Sequence, residues 1–235
     1  MSAPRVLVAG AALEEGVPVA LPDAEARHLR VSRVGPGSDV VLLDGNGNRA
    51  AASLDASGRV AVVRELLAPR GEPRAPVTVL LGVGELSRVE WAVEKGTECG
   101  AAAFELVVAD RSQRAHAAAA GARLERLRRI AAEATKQCDR SRVPEVRGPL
   151  PLADAVARAA GLLFVARPGA PRLRCDAANA GAIAIVIGPE GGLAASEERL
   201  LEEAGAVPFG LGPRVLRLET AVVAALARLV DDGSP

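Results

Sequence analysis

A chain of 235 residues with 49% apolar and 25% charged residues can bury a sizeable core or divide into one small and one larger domain, and its composition is that of a soluble globular protein. The formal net charge is zero, which weighs against general, sequence-independent nucleic-acid binding, and no run of 18 apolar residues offers a membrane span. Three cysteines (Cys99, Cys138, Cys175) and two histidines (His28, His116) are too scattered for a zinc or iron–sulfur centre, so no metal is expected. An odd cysteine count without a leader segment fits a reducing cytoplasm. Of the 29 basic residues only Lys95 and Lys136 are lysine. Arginine supplies planar, bidentate donors for phosphate and carboxylate, although nucleotide bias in the gene gives the same enrichment.

In chain order, residues 1–69 read as a small β-rich domain. Arg5–Ala9 is a first strand, and the stretch from Pro22 to Leu29 is a short helix with proline near its first turn and acids at its positive end. Strands at Asp39–Leu43, Arg49–Asp55 and Arg59–Leu66, joined by Gly45-Asn46-Gly47 and Ser57-Gly58 turns, form a meander or small barrel. The run Ala68–Pro76 holds three prolines and a glycine, which marks a linker at 70–76.

From residue 77 onward strands alternate with helices, as in an α/β domain with a mostly parallel sheet. Val77–Val83, Phe104–Ala109, Leu162–Ala166 and Ile183–Ile187 are strands. Ser87 and Glu90 have capping-box spacing for a helix ending near Gly100, in which Gly96 either permits close packing or weakens the helix. Arg123–Cys138 is a long amphipathic helix, Asp154–Ala160 a shorter one, and Ser196 caps another that ends before Gly205. Thr220–Val230 is apolar nearly all round, so it is buried in the core or against a second subunit, and Thr220 is its cap. The segment Arg111–Arg147 carries ten basic and four acidic residues, a local patch suited to a polyanion despite the neutral total.

Two loops stand out: Gly188-Pro-Glu-Gly-Gly192 directly after the Ile183–Ile187 strand, and Leu211-Gly-Pro-Arg-Val-Leu-Arg-Leu-Glu-Thr-Ala221 leading into the last helix. The first strand of this domain lacks a complete GxGxxG, and no Walker lysine follows GPEGG, so dinucleotide and nucleoside-triphosphate chemistry are disfavoured.

Together these loops resemble those of the knotted (SPOUT-class) methyltransferases that modify N3 of a uridine in 16S, small-subunit, ribosomal RNA. His28-Leu29 with Arg33, the helix from Glu90 to Gly100, Arg111-Ser112, Gln137 with Arg140, and Arg142–Val146 agree, so the likeness spans the chain. The chain departs from the family at Cys99, usually aliphatic, and at Lys136-Gln-Cys-Asp-Arg140, usually Glu-Gln-Ser-Gly-Arg. The resemblance implies a PUA-like, RNA-contacting domain at 1–69 and a trefoil-knotted α/β domain at 77–235, whose C-terminal segment threads a loop. It implies an S-adenosylmethionine pocket of Gly188, Glu190, Gly192, Leu211, Gly212, Leu216 and Leu218. Small-subunit RNA, within the assembled subunit, is the implied partner; the apolar Thr220–Val230 helix itself points to a homodimer, and no membrane is expected.

Uracil N3 carries a proton and is a poor nucleophile until it leaves, so a base or donors for the developing oxyanions are needed. Arg214 or Arg217 would meet the uracil anion or a flanking phosphate. Glu219 would accept the proton or orient an arginine, with Glu190 as the other carboxylate. An Arg-x-x-Arg-x-Glu series is equally an ion-pair network. For RNA the expected residues are Arg27, Arg30 and Arg33, then Arg111, Arg114, Arg126, Arg129 and Arg140; any of them taken singly is also an ordinary solvated charge. The competing classes are a non-catalytic RNA-binding or assembly protein, a knotted methyltransferase for another RNA position, and an enzyme using a different nucleotide. RNA binding without cofactor affinity would mark the first, and the nucleotide that protects the protein thermally would mark the last.

Overall fold

The computed structural model describes residues 3–112, 114–172 and 181–230. They fall into two compact units, Met1–Glu72 with Thr135–Val143, and Pro73–Ala134 with Pro144–Pro235. The first unit therefore takes in a segment from the middle of the chain.

In the first unit β1 (Arg5–Leu7), β2 (Pro18–Ala20), β3 (Asp39–Leu43), β4 (Arg49–Leu54) and β5 (Val60–Leu67) form a sheet ordered β1-β3-β4-β5-β2. Its pairs are antiparallel except β1 with β3. Alternation drives it: Val40, Leu42, Ala50, Ala52, Leu54, Ala61 and Val63 all point into one core. The helix α1 (Asp23–Val31) closes that core with Ala26 and Leu29, three residues apart on one face. Asp44 Oδ1 accepts the backbone N–H of Asn46 (2.7 Å) and Asn48 (3.0 Å), which fixes the β3–β4 turn. The strand β2 is absent from the sequence reading because three residues beginning with proline show no period.

The inserted segment is held by ions. Asp139 sits at φ +64°, the left-handed region where the resembled family carries glycine, and accepts from Arg5 Nε (2.6 Å), Arg49 Nη2 (3.2 Å) and Arg70 Nη1 (2.9 Å). Burial pushes the Asp139 carboxyl up, but the Arg5 hydrogen bond and the charges of Arg49, Arg5 and Arg70 outweigh it and hold the group below the usual range. Lys136 pairs with Glu25 at 2.7 Å, and Arg140 with Glu72 at 2.7 Å.

The second unit runs β6 (Val77–Gly82), α2 (Leu86–Glu98), β7 (Ala103–Val108), α3 (Arg114–Ala122), α4 (Leu124–Cys138), β8 (Glu145–Pro151), α5 (Leu152–Arg158), β9 (Leu162–Ala166), β10 (Ile183–Ile187), α6 (Ala195–Glu203), β11 (Val207–Phe209) and α7 (Leu218–Leu229); the last turn of α4, from Thr135, counts with the first unit. The sheet order is β11-β9-β10-β6-β7-β8, and every pair is parallel. All five residues of β10 are buried, as a strand covered on both faces requires. From β6 the chain moves outward to β7 and β8; from β10 it moves the other way, to β11. The neighbours β6 and β10 thus form a switch point, and ligands of open parallel sheets bind in the crevice beyond the carboxyl ends of such strands.

Several expected helix starts move. The helix α2 begins at Leu86, and Ser87 Oγ bonds Glu85 Oε1 (2.8 Å) instead of capping through a Ser87–Glu90 box. Ala194, not Ser196, precedes α6, and Glu197 Oε2 accepts the Ala194 N–H (2.7 Å), so the carboxylate does the capping. The helix α7 begins two residues before Thr220, with Arg217 at its N-cap. The elements α3, β8 and β11 were not foreseen: α3 is mostly alanine without an amphipathic period, β8 contains Gly-Pro, and β11 has three residues. Gly96 serves close packing, since a Cβ there would lie 2.8 Å from the Phe104 ring and 3.1 Å from Val222. The helix α7 buries Leu218, Ala221, Val222, Ala225, Leu226 and Leu229 within the protomer, a stripe with i, i+3, i+4 spacing.

Candidate active site

At the carboxyl ends of β9 and β10 lies a cavity of about 250 Å³. Gly188, Glu190 and Gly192 of one loop and Leu211, Gly212, Leu216 and Leu218 of the other all line it. These are the seven residues that the resemblance implies at a cofactor. The strand β10 ends at Ile187 because Gly188-Pro189 cannot continue the ladder, and Gly192 (φ +71°) and Gly212 (φ +113°) hold backbone shapes that a side chain would strain. Arg214, Ala166, Arg167, Leu193, Glu198 and Ala221 complete most of the wall.

The four residues assigned to chemistry separate. Glu190 and Arg214 line the cavity. Arg217 is exposed at the start of α7 and lines neither this cavity nor the second one described next. Glu219 is also outside both: its Oε1 faces Arg88 Nη1 at 3.9 Å, and its Oε2 is buried without a hydrogen-bond partner.

Beyond the wall formed by Pro189 and Glu190 is a second cavity of about 270 Å³, lined by Val83, Gly84, Glu85, Arg88, Arg111, Ser112, His116 and Gly191. Arg88 organises it. Its Nε lies 3.2 Å from Glu85 Oε2 and 3.5 Å from Glu190 Oε1, and its Nη1 reaches toward Glu219. Hydrogen bonds from Ser87 and Arg88 hold the Glu85 carboxyl below its ordinary range. Gly84 leaves room for the Glu190 carboxylate in its present position, since a Cβ would fall 2.1 Å from Oε2. Arg111 Nη1 donates to the Gly191 carbonyl (3.3 Å), and buried Glu197 accepts the Asp110 N–H on Oε1 (2.9 Å) while it caps α6 with Oε2. One carboxylate thus ties the end of β7 to the loop after β10.

Arg88, Glu197 and His116 escaped the sequence reading. The available signal was positional: residues that follow β6 and β7 belong to the same strand-end crevice as the GPEGG loop.

The residues expected at RNA also divide. Arg27 and Arg30 are exposed on α1, and Arg33 is exposed just past its end at φ +58°. Arg129 is exposed, while Arg126 forks onto Glu90 with 2.6 and 2.9 Å bonds. Arg140 is 2% exposed and committed to Glu72, a place that leaves it nothing to offer a phosphate. The Arg114 side chain lies outside the described residues, as does Cys175. Among the described residues no cluster of three or more metal-ligating side chains occurs, and no helix is long and apolar enough to cross a membrane.

Family models for an RNA methyltransferase domain and an RNA methyltransferase PUA domain match residues 71–230 and 21–60. The chain is 37% identical to the ribosomal RNA small subunit methyltransferase E of Mycobacterium bovis, over 83% of this chain and 79% of that one. The chain belongs to this methyltransferase family. The Synechocystis member is 33% identical over 96% of this chain and 76% of its own. Among solved structures, the family member from Neisseria gonorrhoeae bound to S-adenosyl methionine superposes with a TM-score of 0.88 at 29% identity, covering 97% of both chains. A Legionella pneumophila methyltransferase in complex with the same cofactor gives 0.83 at 25%, again over 97% of both.

Proposed function

We propose that the protein methylates N3 of a uridine in 16S ribosomal RNA with S-adenosylmethionine as donor. The observation that carries this reading is the single cavity at the β9–β10 ends, to which both motif loops contribute every residue expected at the cofactor. The cavity fits the group: glycine backbone permits close approach, Leu211, Leu216 and Leu218 give an aromatic base an apolar slot, and Glu190, Glu198, Arg167 and Arg214 are polar groups for its charged end. When bound, the cofactor supplies an electrophilic methyl group on a sulfonium.

The chain's own residues must then prepare N3. Glu190 lines both cavities and is the carboxylate we assign to the N3 proton; Arg214 meets charge developing on the uracil oxygens. Glu219 is a positioning residue, acting through Arg88 on Glu190. Arg217 at the exposed start of α7, with Arg27, Arg30, Arg33, Arg111 and Arg129, contacts RNA phosphate. Residues 1–69, completed by the Thr135–Val143 segment, act as the RNA-binding domain and the rest of 77–235 as the catalytic one, in a cytoplasmic protein.

We further assign a homodimer. The face of α7 opposite its buried stripe carries Val223, Ala224 and Ala227, small apolar residues suited to a second subunit. Leu226 is fully buried in its own protomer, so a charge there would disrupt folding and not association. Val223 is the informative site: Val223→Arg should give a folded monomer by light scattering, and a wild-type monomer at micromolar concentration removes the assignment.

The deciding experiment supplies labelled S-adenosylmethionine to small subunits from cells lacking the protein and locates the label by base. Label on uridine N3 supports the reading; label elsewhere reassigns the target, and RNA binding without transfer makes the protein a binding factor.

A further inference from the structure

We propose that the second cavity, between the ends of β6 and β7 and the Pro189–Glu190 wall, seats one unpaired nucleotide of the RNA, with its phosphate toward Arg111 and its base toward Arg88 and Glu190. The proposal rests on the methyltransferase reading above and gives it an acceptor site.

Four observations lead there. The cavity lies at the carboxyl ends of parallel strands beside the switch point, and its volume of about 270 Å³ matches that of its neighbour. It adjoins the cavity assigned to the methyl donor, sharing Pro189 and Glu190 with it, and in-line transfer needs the acceptor atom within about 3–3.5 Å of the methyl group, so the acceptor must enter from a neighbouring site. Both linings carry two arginines and two carboxylates, but this one adds a histidine and a serine and lacks the four leucines of its neighbour. Finally, its two arginines are in opposite states. Arg88 is fixed among Glu85, Glu190 and Glu219, so its charge is compensated and its remaining N–H groups are preorganised for neutral acceptors such as base carbonyls. Arg111 has no carboxylate partner among the described residues, only the Gly191 carbonyl, and stands exposed at the rim. An uncompensated guanidinium beside His116 suits a phosphate, whereas the Arg88–Glu190 end, next to the donor cavity, suits the base. Ser112 is occupied by Val83 and Ala109 backbone, both at 3.2 Å, and acts as wall.

The test uses the full-length protein saturated with S-adenosylhomocysteine and titrated with uridine 5′-monophosphate or with inorganic phosphate, each end point followed by structure determination. The mononucleotide should occupy this cavity and bind more tightly than phosphate, and Arg111→Ala should weaken it about tenfold while Arg111→Lys restores part of the loss. Phosphate binding equally well would reduce the cavity to an anion site, and a mononucleotide bound elsewhere or not at all would overturn the proposal outright. In single-turnover transfer to small subunits at saturating RNA, Arg111→Ala should slow the rate by about tenfold or more with cofactor affinity unchanged. A normal rate with weaker RNA binding would place Arg111 on the periphery and overturn its role here. The two readings fail separately. A mononucleotide in the cavity with no transfer to small subunits sinks the proposed function; transfer with the cavity bare sinks the acceptor site alone.

Discussion

The two cavities share a wall and differ in what gives them shape. Three glycines and four leucines line the first, and two of those glycines hold positive φ, so its shape owes much to chain geometry; the second has no leucine and is defined by side-chain charges around Arg88. A site shaped by backbone is rigid and fails through steric insult, while a site shaped by ion pairs fails through loss of one partner. The same protein should therefore show two distinct patterns of mutational response within a few residues of each other.

The largest effect belongs to the first cavity. Gly212→Val or Gly192→Val should lower cofactor affinity by about 100-fold or more while far-ultraviolet dichroism stays native, since each glycine holds a positive φ at the cavity wall. Calorimetric titration reads it, and unchanged affinity in both variants would erase the contrast. Next comes the wall itself: Glu190→Gln should cut single-turnover methyl transfer by about 100-fold if its carboxylate takes the N3 proton, and the residual rate should then rise with pH as uracil ionises unaided. A flat residual profile would pass the role to arginine alone.

Arg88→Ala should come third. It frees Glu85, Glu190 and Glu219 from their common cation, so transfer should slow by about tenfold with little change in cofactor affinity. Glu219→Gln should mimic it more weakly and keep the wild-type pH profile, because Glu219 acts through Arg88; a new pH dependence would mean that Glu219 handles the proton directly. The smallest effect is Leu216→Ala, a few-fold loss of cofactor affinity from apolar area alone, on the order of 1 kcal/mol. A loss as large as that of Gly212→Val would show that the leucines, not the backbone, set the first cavity's shape.

Much of this contrast was legible beforehand, but unevenly. The β10 strand and its loop could be read because a five-residue buried run followed by Gly-Pro-Glu-Gly-Gly has few other meanings. The residues expected at the cofactor come from a resemblance and meet in space because both loops leave the same end of the sheet. The second cavity was hidden because its parts, Arg88, then Arg111 with His116, and Glu190, come from three separate segments and carry no shared spacing. Helix starts at Ser87, Ser196 and Thr220 differ from the structure because serine and threonine mark caps statistically, whereas here the Glu197 carboxylate caps α6, and α2 and α7 open at Glu85 and Arg217 without a side-chain cap bond. Arg140 was misplaced because charge in a basic stretch looks solvated until its partner, Glu72, is found 68 residues away. Periodicity likewise has no means of reporting a thread through a loop.

The Asp139 cluster has a consequence for how the protein is made. Arg5, Arg49 and Arg70 leave the ribosome long before the carboxylate that gathers them, and about 70 more residues must be synthesised before it follows. Until then the amino-terminal unit is a sheet with three arginines crowded around a missing counter-ion. Its completion waits on translation of the α4 helix, so a nascent chain cannot present a finished amino-terminal unit before most of the first half of the second unit exists. A genetic fusion or truncation cut at the proline-rich linker would inherit the same incompleteness permanently. Acid would reproduce it reversibly: Asp139 contributes stability above the ordinary carboxylate range, and that contribution disappears as pH falls through its depressed value.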